Sequence, residues 1–578
     1  MSKKILVAVA WPYVNGDIHL GHLAGYLLPA DIFARYQRLC GNDVLMVSGS
    51  DCHGTPITVE ADKKRLSPAE VVEEYHQKDL ELFKAIKLDY NLYTKTTTEN
   101  HKRVVQEIFL DLLKAGYIVK DTMQQYYSAE DQAFLPDRYV EGTCPHCQAK
   151  EQRSDQCESC GRWLKDGELI NPYSKLTKNK VALKATEHYF LDLASLVPQL
   201  QKFVSESKGR WRDWVYKETD GWLKEGLQKR AITRDMDWAI DLPIDEIMKL
   251  EPEKQLKDFQ GKKIYVWFEA VVGYLSAPQE WVTLDAAKSG IIWKKNPGQS
   301  DKWQNWWLNP ESEHYYFMGQ DNLVFHTLMW PAQLIGSGRG YILPHNVFVN
   351  KFMNYDGKKF SKSRNWTIDS MKMVKKYGVD ATRYYIAANL PENKEGNFTW
   401  EGFVAAVNNE LVANLGNFVN RTLKFFEVNF YGELIAENTA RLPEIKIESS
   451  KAFTESGELI EKGSFVAALE VIMRYAAFAN KYFNDQQIWT VIKKDRKQAE
   501  KIMFDLLNII YDLAIIICPF LPESATRIAT MLGICENLEE IDRNHWQSET
   551  LQQFKLQQPV EILIQKLDAK VVLQEKED

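Results

Sequence analysis

A short, entirely apolar run near the start of the chain is followed at once by a turn and then by a helical pattern. The run spans Ile5 to Ala10, Pro12 ends it, and the helical pattern extends from near His19 to Leu39, where Gly41 closes it. A second apolar run, DVLMVSGSD, and further helical sequence to Leu113 come next. Short buried strands that alternate with helices pair in parallel, so this order predicts an α/β fold with helices on the faces of a parallel sheet.

The alternation of strands and helices is interrupted between about Tyr117 and Asp235. This stretch is rich in turns and charged residues, and it contains four closely spaced cysteines. Apolar runs return at Lys262–Leu275, His314–Trp330 and Asn346–Met353. The parallel sheet is therefore predicted to form from two parts of the chain, with the intervening stretch as an insertion.

The last third of the chain carries a helical pattern, and no strand pattern follows Trp400. Apolar residues recur at three- and four-residue steps from Glu401 to about Ile534. Such spacing places apolar side chains on one face of each helix and predicts a helical bundle. The final residues contain the apolar stretch Val560–Leu567 and are expected to pack back onto the body of the protein.

Composition and charge narrow the functional classes. The chain has 578 residues, 45% of them hydrophobic and 26% charged, and no apolar run approaches the ~18 residues of a membrane span. Its formal net charge of −7 gives no global basic field, so any contact with nucleic acid must be local. The basic, briefly apolar N-terminus imitates a secretory signal, but Pro12 ends the run and no small-residue cleavage site follows. Four of the eight cysteines cluster and the other four are scattered. This arrangement is not that of a disulfide framework, so a cytoplasmic protein is predicted.

The first candidate site lies where the first strand turns into the first helix, in the sequence His19-Leu20-Gly21-His22. The start of a helix presents unpaired N–H groups and the positive end of the helix dipole, and both favour phosphate. Two imidazoles three residues apart point the same way, and Gly21 leaves the backbone bare for a flat base. A polar helix start with an incidental histidine pair, or a metal site, are the alternatives for this segment alone.

The second candidate site is the basic segment GKKFSKSRN, which begins at Gly357 and contains Lys359 and Lys362. Its charges can neutralise a polyphosphate, while its flexible start allows it to close on a transition state. Taken alone, such a run is more often a solvated surface loop. Its combination with a phosphate-type helix start in the other part of the split sheet favours a nucleotide site.

HLGH, followed after more than three hundred residues by KFSKS, resembles the two signature motifs of the class I aminoacyl-tRNA synthetases, HIGH and KMSKS. Phe360 stands in the place of the usual methionine. The resemblance implies a split Rossmann-type sheet, ATP with Mg²⁺, and adenylation of an amino acid. It also implies that His19, His22, Lys359 and Lys362 are catalytic, and that Gly21 shares the ATP site with the two histidines and Lys362.

The third constellation lies in the insertion and consists of four cysteines in the pattern C-x2-C-x9-C-x2-C, namely Cys144, Cys147, Cys157 and Cys160. Four thiolates on two knuckles fit tetrahedral zinc, and a closed set of four leaves no open position, so one structural Zn²⁺ is predicted. A disulfide or redox pair is the alternative. An insertion of this modest length that carries a zinc knuckle resembles the insertion of the methionyl-tRNA synthetases.

Further segments resemble the same family: WPYVNGDIHLGH, GSDCHGTPI, YVWFEAVVGY and FMGQDNLVFH. The resemblance implies that Asp51 pairs with the ammonium group of the substrate. It places Tyr13, Trp267, Ala270, Tyr274 and His326 in a methionine pocket, Gly319 and Asp321 at the ribose of ATP, and Arg234 at the border of the active site. Trp11, Glu269, Val271 and Gln320 depart from the common residues of the family, which leaves the shape of the pocket and the ATP contacts open.

In the helical region, Asn417, Arg421 and Trp489 resemble the family's anticodon-reading residues. Asn417 and Arg421 are four residues apart and share a helix face, from which an amide and a guanidinium can reach unstacked bases. Trp489 offers a plane on which a base can stack. A solvated helix face is the alternative for the Asn/Arg pair alone.

The resemblance implies activation of L-methionine by ATP and its transfer to the 3′ end of tRNA(Met), for initiation and elongation. The alternatives are another class I aminoacyl-tRNA synthetase, a nucleotidylyltransferase of the HxGH type, and a zinc-knuckle RNA-binding protein without catalysis. The expected partners are ATP, L-methionine and tRNA(Met). A monomer is expected, because few residues follow the bundle and an appended tRNA-binding barrel would not fit.

The predicted architecture is therefore a split Rossmann-type α/β domain with a zinc-knuckle connective insertion, followed by an all-α anticodon-binding bundle. The predicted segments are the first half of the catalytic domain (1–116), the insertion (117–235), the second half of the catalytic domain (236–345), a stem-contact region with the KFSKS loop (346–400), the anticodon-binding bundle (401–540) and a C-terminal segment packed on the body (541–578).

Overall fold

The computed structural model of the chain describes residues 2–135, 139–154, 157, 159–160, 164, 167–284, 288, 290–296, 298–360, 366–534 and 546–576. None of the helices in these ranges is both long enough and apolar enough to cross a membrane.

A six-stranded sheet forms the centre of the catalytic region. Across the sheet its strands are Ile292–Trp293, Leu92–Lys95, Asp43–Ser50, Lys4–Val9, Glu313–Gly319 and Asn346–Asn350. All neighbours are parallel except Ile292–Trp293, which runs antiparallel to Leu92–Lys95. Strand Lys4–Val9 is buried along almost its whole length, as its continuous apolar sequence requires of a strand covered on both faces.

The order of the strands reverses beside the first strand. Chain order proceeds outward from Lys4–Val9 to Leu92–Lys95 on one side, and from Glu313–Gly319 to Asn346–Asn350 on the other. In open α/β sheets, ligands bind at such a reversal, outside the carboxyl ends of the strands. The candidate active site is therefore expected between the ends of Lys4–Val9 and Glu313–Gly319.

Helices cover both faces of this sheet. The first is continuous from Leu20 to Leu39, with α-helical parts Leu20–His22 and Leu28–Leu39 on either side of a π-helical turn, Leu23–Leu27. The others are Thr55–Lys64, Pro68–Ala85, Glu99–Ala115, Val266–Glu269, Gly273–Thr283, Gln304–Trp307, the π-helical Phe325–Met329 and Trp330–Gly336, with short 3₁₀ turns at Ala270–Val272 and Gln320–Asn322. In the apolar run Lys262–Leu275 only Lys262–Ile264 is a strand, because a short buried helix and a buried strand give the same unbroken apolar pattern.

The insertion is mainly antiparallel. Its longest strands, Ile118–Ser128 and Val181–Leu191, pair with each other and are flanked by Ala133–Phe134 and Arg230–Ala231. A separate three-stranded sheet contains Gln152–Arg153, Val140–Thr143 and Ile170–Ser174. The remaining elements up to the second half of the sheet are the helices Ala194–Leu196, Val197–Glu206, Asp213–Glu225, Ile244–Ile247 and Pro252–Lys254, and the strands Thr233–Asp235 and Ile240–Asp241, which pair with Lys262–Ile264.

After the sheet, a small β-structure and then the bundle follow. The strands are Met353–Tyr355, Lys358–Lys359 and Gly396–Phe398, and the helices between them are Ser370–Tyr377 and Val379–Ala388. The bundle comprises Trp400–Ala406, the π-helical Val407–Gly416, Asn417–Phe430, Pro443–Glu461, Phe465–Gln486, Ile488–Val491, Arg496–Ile516 and Pro522–Met531. The predicted α/β fold with a knuckle insertion and a C-terminal helical region is confirmed.

The prediction that no strand follows Trp400 is wrong in one detail. Glu433–Ile435 pairs antiparallel with Gln553–Lys555, and both are too short to give a periodic signal. After the second of these strands, Leu563 and Ile564 are buried, and the chain ends in the short helical turns Ala569–Leu573 and Gln574–Lys576. The segment boundaries themselves remain predictions.

A fully buried arginine joins the bundle to the first helix. Arg383 Nη2 donates to Asp31 Oδ2 at 2.7 Å and to the carbonyl oxygen of Pro519 at 2.9 Å, and its Nε donates to the carbonyl oxygen of Phe520 at 2.9 Å. Burial opposes ionisation of Asp31, but Arg35 and Arg383 outweigh it and lower the pKa of this carboxyl. A buried charge with this many partners holds the bundle in one position against the helix that begins with HLGH.

Candidate active site

The two histidines of HLGH lie at the start of the first helix, beyond the carboxyl end of strand Lys4–Val9. The backbone N–H of Gly21 donates to His19 Nδ1 at 3.1 Å, and the backbone N–H of His19 donates to His22 Nδ1 at 3.2 Å. An Nδ1 that accepts a hydrogen bond carries no proton, so each ring has its N–H at Nε2. The ring centroids are 4.0 Å apart. Two neighbouring donors at the positive end of a helix suit a phosphate group.

The start of the KFSKS segment contacts HLGH directly. A two-stranded hairpin that ends at Lys359 leads into Phe360, whose ring stacks on His19 with centroids 4.9 Å apart and planes inclined by 15°. A Cβ on Gly21 would lie 2.8 Å from His19 Cε1 and 3.4 Å from Phe360, so this approach needs glycine. Lys359 is exposed next to Phe360. The predicted Lys362 lies outside the described residues.

Asp51 follows strand Asp43–Ser50 and lies beside the segment that follows the first strand. Its N–H donates to the carbonyl oxygen of Pro12 at 2.8 Å, and the N–H of Val14 donates to its carbonyl oxygen at 3.3 Å. Its side chain is buried, and Oδ1 has no hydrogen-bond partner among the described residues. Burial, and then the charge of Glu269, raise the pKa of this carboxyl well above its usual value. A buried carboxylate oxygen of this kind is suited to a cationic group brought by a ligand.

Aromatic side chains lie around Asp51. Burial, and then the charge of Asp51, raise the pKa of Tyr13, and the nearby Trp267 side chain opposes this rise. Trp267 is 46% exposed, and Ala270 begins the 3₁₀ turn that follows its helix. Tyr274 is buried on the next helix. The name amino-acid pocket is used below for the six residues that the family resemblance implies for amino-acid binding, namely Tyr13, Asp51, Trp267, Ala270, Tyr274 and His326.

Tyr274 and His326 form a buried hydrogen-bonded pair. His326 Nδ1 lies 2.8 Å from the carbonyl oxygen of Asn322, which can only accept, so the ring proton is on Nδ1. The Tyr274 hydroxyl therefore donates to His326 Nε2 at 2.7 Å. Burial lowers the pKa of His326 to about 4, so the ring is neutral near pH 7. An uncharged aromatic wall of this kind suits an apolar, polarizable side chain such as a thioether.

Gly319 and Asp321 lie on the other side of the strand reversal. Gly319 ends strand Glu313–Gly319, and a Cβ there would lie 2.9 Å from Asp321 Oδ1. The Asp321 side chain thus lies against bare backbone, and the residue is exposed. A carboxylate in this position can accept hydrogen bonds from a pair of sugar hydroxyls.

Arg234 lies near the amino-acid pocket but outside it. It belongs to strand Thr233–Asp235, and its guanidinium carbon lies 4.7 Å from the centroid of the Tyr265 ring. That ring in turn lies 5.3 Å from Trp267. Arg234 therefore supports an outer wall of the pocket through Tyr265, and no contact of Arg234 with Asp51 is found among the described residues.

The four cysteines of the insertion converge. The Sγ atoms of Cys144 and Cys160 are 4.0 Å apart, those of Cys147 and Cys157 are 3.5 Å apart, and all four lie within 4.8 Å of one another. Tetrahedral coordination with Zn–S bonds of ~2.3 Å places thiolates about 3.8 Å apart, so the cluster fits one zinc ion. Within the described ranges it is the only group of three or more potential metal ligands that converge in this way.

In the bundle, Arg421 and Trp489 flank one aromatic ring. The Arg421 guanidinium carbon lies 4.9 Å from the centroid of Phe483, and the Trp489 ring lies 5.7 Å from it on centroids. Arg421 is further fixed by Asn480 Oδ1 at 2.8 Å, and Asn417 is exposed one turn earlier on the same helix. Trp489 is 41% exposed. The name bundle face is used below for Asn417, Arg421, Phe483 and Trp489.

Sequence reasoning missed three contributors to these sites. Phe483 lies between two predicted residues, and nothing distinguishes it in the sequence from core phenylalanines. His53 and His101 both contact Glu269, at 2.9 Å and 2.6 Å. His53 could have been found from the sequence, because it lies in the GSDCHGTPI segment that resembles the family. Nothing in the sequence marks His101, because its partner Glu269 is distant along the chain.

The comparisons with known proteins agree over the whole chain. A family profile described as "tRNA synthetases class I (M)" matches residues 5–423, and a second, described as "Anticodon binding domain of methionyl tRNA ligase", matches residues 445–573. A methionine–tRNA ligase of Roseiflexus sp. (strain RS-1) is 43% identical over 544 residues, which cover 92% of this chain and 87% of that protein. One from Dehalococcoides mccartyi (strain ATCC BAA-2266 / KCTC 15142 / 195) is 41% identical over 577 residues, covering 100% and 99%.

A solved structure has the same fold. The Mycobacterium tuberculosis methionyl-tRNA synthetase in complex with methionyl-adenylate superimposes with a TM-score of 0.75 at 22% identity, covering 97% of this chain and 99% of that one. At this level of identity the likeness concerns the fold.

Proposed function

The chain belongs to the methionyl-tRNA synthetases, class I aminoacyl-tRNA synthetases with methionine–tRNA ligase activity, and from that membership we propose which of its residues perform the reaction. The reaction activates L-methionine with ATP to methionyl-adenylate and transfers the methionyl group to tRNA(Met). One observation carries the proposal. The buried Oδ1 of Asp51 has no hydrogen-bond partner in the described part of the chain. It and the paired imidazoles of His19 and His22 lie beyond the carboxyl ends of central strands, at or next to the reversal of strand order.

We propose that the amino-acid pocket holds methionine. The substrate ammonium pairs with Asp51, and the side chain lies against Tyr13, Trp267, Ala270, Tyr274 and His326. Contacts between a thioether sulfur and an aromatic ring contribute roughly 0.3–1.5 kcal/mol each. Because Tyr274 already donates its hydroxyl proton to His326, this pair offers shape and polarizability rather than charge.

In the first step, a carboxylate oxygen of methionine attacks the α-phosphorus of ATP. A new O–P bond forms while the bond to the bridging oxygen breaks, and that electron pair leaves with pyrophosphate. The Nε2–H groups of His19 and His22 hold phosphate oxygens, and Lys359 and Lys362 stabilise the charge that develops on pyrophosphate. Gly21 lets the adenine lie against the backbone, and Gly319 with Asp321 holds the ribose. Positioning and electrostatics supply the catalysis, and no protein nucleophile is needed.

We propose one zinc ion in the knuckle of Cys144, Cys147, Cys157 and Cys160, where it stabilises the insertion. The sulfur separations fit tetrahedral zinc, and a closed set of four thiolates leaves no position for substrate. Mg²⁺ is proposed to accompany ATP on its phosphates. No second cluster of three or more convergent ligands occurs in the described part of the chain to hold it independently.

The second step uses tRNA. We propose that the terminal ribose hydroxyl takes the methionyl group from the adenylate while Asn417, Arg421 and Trp489 on the bundle face read anticodon bases. Segments 1–116 and 236–345 then form the catalytic domain, 117–235 the knuckle insertion, 346–400 the stem-contact region, 401–540 the anticodon-binding bundle and 541–578 a packed C-terminal segment. A cytoplasmic monomer completes the proposal.

ATP–pyrophosphate exchange measured against a panel of amino acids tests the proposed pocket. We expect exchange with methionine and none with leucine, isoleucine, valine or cysteine at equal concentration, because the neutral aromatic wall suits the thioether. Exchange without dependence on an amino acid, or a preference for another member of the panel, would contradict the assignment. Metal analysis of the same protein should find one zinc per chain.

A further inference from the structure

A buried glutamate outside the groups assigned to substrate links the elements that form the amino-acid pocket. Glu269 ends the short helix Val266–Glu269, and its side chain is fully buried. His53 Nδ1 lies 2.9 Å from Glu269 Oε1, and His101 Nε2 lies 2.6 Å from Oε2. Both carboxylate oxygens are thus occupied by imidazoles that come from different parts of the chain.

Each histidine connects Glu269 to a different part of the pocket. His53 lies just beyond Asp51, so its bond to Glu269 ties the segment that carries Asp51 to the helix that carries Trp267. On the other side, His101 Nδ1 lies 2.8 Å from Ser276 Oγ, and that hydroxyl donates to the carbonyl oxygen of Gly273 at 3.2 Å. The second connection therefore returns to the helix of Tyr274.

These contacts connect the segment of Asp51 both to the helix that carries Trp267 and to the helix that carries Tyr274. Burial by itself would raise the pKa of Glu269, but His53 and His101 outweigh it and the pKa is lowered, so the carboxylate is ionised. An ionised, desolvated carboxylate that makes two charge-assisted hydrogen bonds fixes its partners more firmly than a neutral group would. The cost of leaving any of the three groups unpaired in this interior is correspondingly large.

The length of the side chain matters as much as its charge. Glutamate exceeds aspartate by one methylene, about 1.5 Å of reach. With both present contacts below 3 Å, a carboxylate drawn back by that amount cannot satisfy two imidazoles that approach from different elements. The glutamate at this position, a departure from the common residue of the family, therefore has the reach to contact both imidazoles at once.

We propose that Glu269 is a positioning residue for methionine: by binding His53 and His101 together, it fixes Asp51 at the correct distance from Trp267 and Tyr274. The inference rests on the proposed roles of those residues in substrate binding. Glu269 does not touch substrate in this scheme and acts through the groups it holds.

The test is steady-state ATP–pyrophosphate exchange with Glu269→Gln and Glu269→Asp. Misplacing a binding group by about 1 Å costs on the order of 10²-fold, so KM for methionine should rise roughly 10- to 100-fold in Glu269→Gln. The KM for ATP should stay within about twofold, since the ATP groups lie on other elements. Glu269→Asp keeps the charge and one contact, so its KM for methionine should fall between wild type and Glu269→Gln.

The matched control is Glu280→Gln. Glu280 lies on helix Gly273–Thr283, carries a carboxylate that accepts from Thr94 at 2.9 Å and Thr98 at 3.2 Å, and contacts no residue of the amino-acid pocket in the described structure. Its KM for methionine should match wild type. Thermal unfolding of each variant separates a local change from general loss of structure, because a merely structural role would lower the melting temperature and affect both substrates.

A double-mutant cycle with His101→Gln supplies the remaining readout. If Glu269 acts through His101, the double variant Glu269→Gln/His101→Gln should raise KM for methionine no more than the worse single variant. Multiplicative effects, an unchanged KM for methionine in Glu269→Gln, or equal rises for methionine and ATP would each overturn the inference. Failure of the proposed function is distinguishable, because the wild-type protein would then show no methionine-dependent exchange.

Discussion

The amino-acid pocket and the bundle face, which we propose to bind methionine and anticodon bases, differ in how far their side chains are buried. In the amino-acid pocket, Tyr274, His326 and Asp51 are buried. Tyr274 donates to His326, His326 donates to the carbonyl oxygen of Asn322, and Asp51 Oδ1 has no hydrogen-bond partner among the described residues. On the bundle face, Asn417, Arg421 and Trp489 are exposed, and Arg421 and Trp489 lie against the buried ring of Phe483. This difference matches the proposed ligands, because buried pockets with a few polar groups suit small molecules, whereas unstacked RNA bases are recognised by stacking on accessible aromatic and arginine side chains.

The largest effect is expected from removal of the charge at Asp51. Asp51→Asn leaves the substrate ammonium buried without its partner, and losing one member of a buried charge pair costs about 3–5 kcal/mol. We expect kcat/KM for methionine in ATP–pyrophosphate exchange to fall roughly 10²- to 4 × 10³-fold. The KM for ATP should change little, and a loss shared equally by both substrates would place Asp51 in the framework of the pocket instead of at the ammonium.

The KM for methionine should depend on pH, whereas the KM for ATP should not. Burial and the charge of Glu269 raise the pKa of Asp51 well above its usual value. Further titratable groups nearby are Tyr13, Tyr274, the thiol of Cys52, and His53, which together with His101 contacts Glu269. Below its pKa, Asp51 is neutral and cannot pair with an ammonium, so KM for methionine should rise by up to about tenfold per pH unit as the pH falls. The rise begins well above pH 4, where free aspartate would titrate.

His326 cannot produce this rise, because its pKa of about 4 keeps it neutral throughout the range. The three tyrosine and cysteine groups have raised pKa values and remain protonated there. The measurement is KM for methionine in exchange between pH 8 and pH 5, with KM for ATP as the internal reference. A constant KM for methionine over this range would show that Asp51 keeps its charge despite burial, and Asp51→Asn should abolish the pH dependence.

Stacking on the bundle face should have a smaller effect, and only on the step that uses tRNA. Trp489→Ala removes a base-stacking plane worth ~1–3 kcal/mol, so kcat/KM for tRNA in aminoacylation should fall about 5- to 150-fold, with exchange unaffected. The matched control is Tyr431→Ala, because Tyr431 is 90% exposed in the same bundle and lies outside the bundle face. Equal losses in aminoacylation and exchange would mean that Trp489 supports the structure of the bundle.

Local patterns in the sequence were sufficient for the fold and for part of the site. HLGH lies on a strand, a turn and a helix that follow one another, and the four cysteines lie within a short stretch, so their spacing alone predicts the cluster. Sequence gave no indication of the bond from His101 to Glu269, whose partners are 168 residues apart. Nor does it reveal that Phe360 stacks on His19, since that contact depends on how the two parts of the sheet meet. Such pairings depend on tertiary packing, which periodicity does not encode.

The smallest expected effect distinguishes two ways in which the bundle face can hold RNA. Arg421 is fixed by Asn480 and lies over Phe483, so its guanidinium plane is set to stack on a base. Arg421→Gln should therefore raise KM for tRNA only about two- to fivefold, the size of an exposed cation–π contact of ~0.5–1 kcal/mol.

The dependence of tRNA binding on salt then identifies the contact. A side chain that neutralises a phosphate contributes about 0.7 to the slope of log K against log[salt] for a single strand, whereas one that stacks on a base contributes almost nothing. We expect an unchanged slope for Arg421→Gln. Lys424→Gln, an exposed position on the same helix, is the control for general charge loss. A slope reduced by about 0.7 in Arg421→Gln alone would show that Arg421 binds the backbone, and base reading by the bundle face would then rest on Asn417 and Trp489.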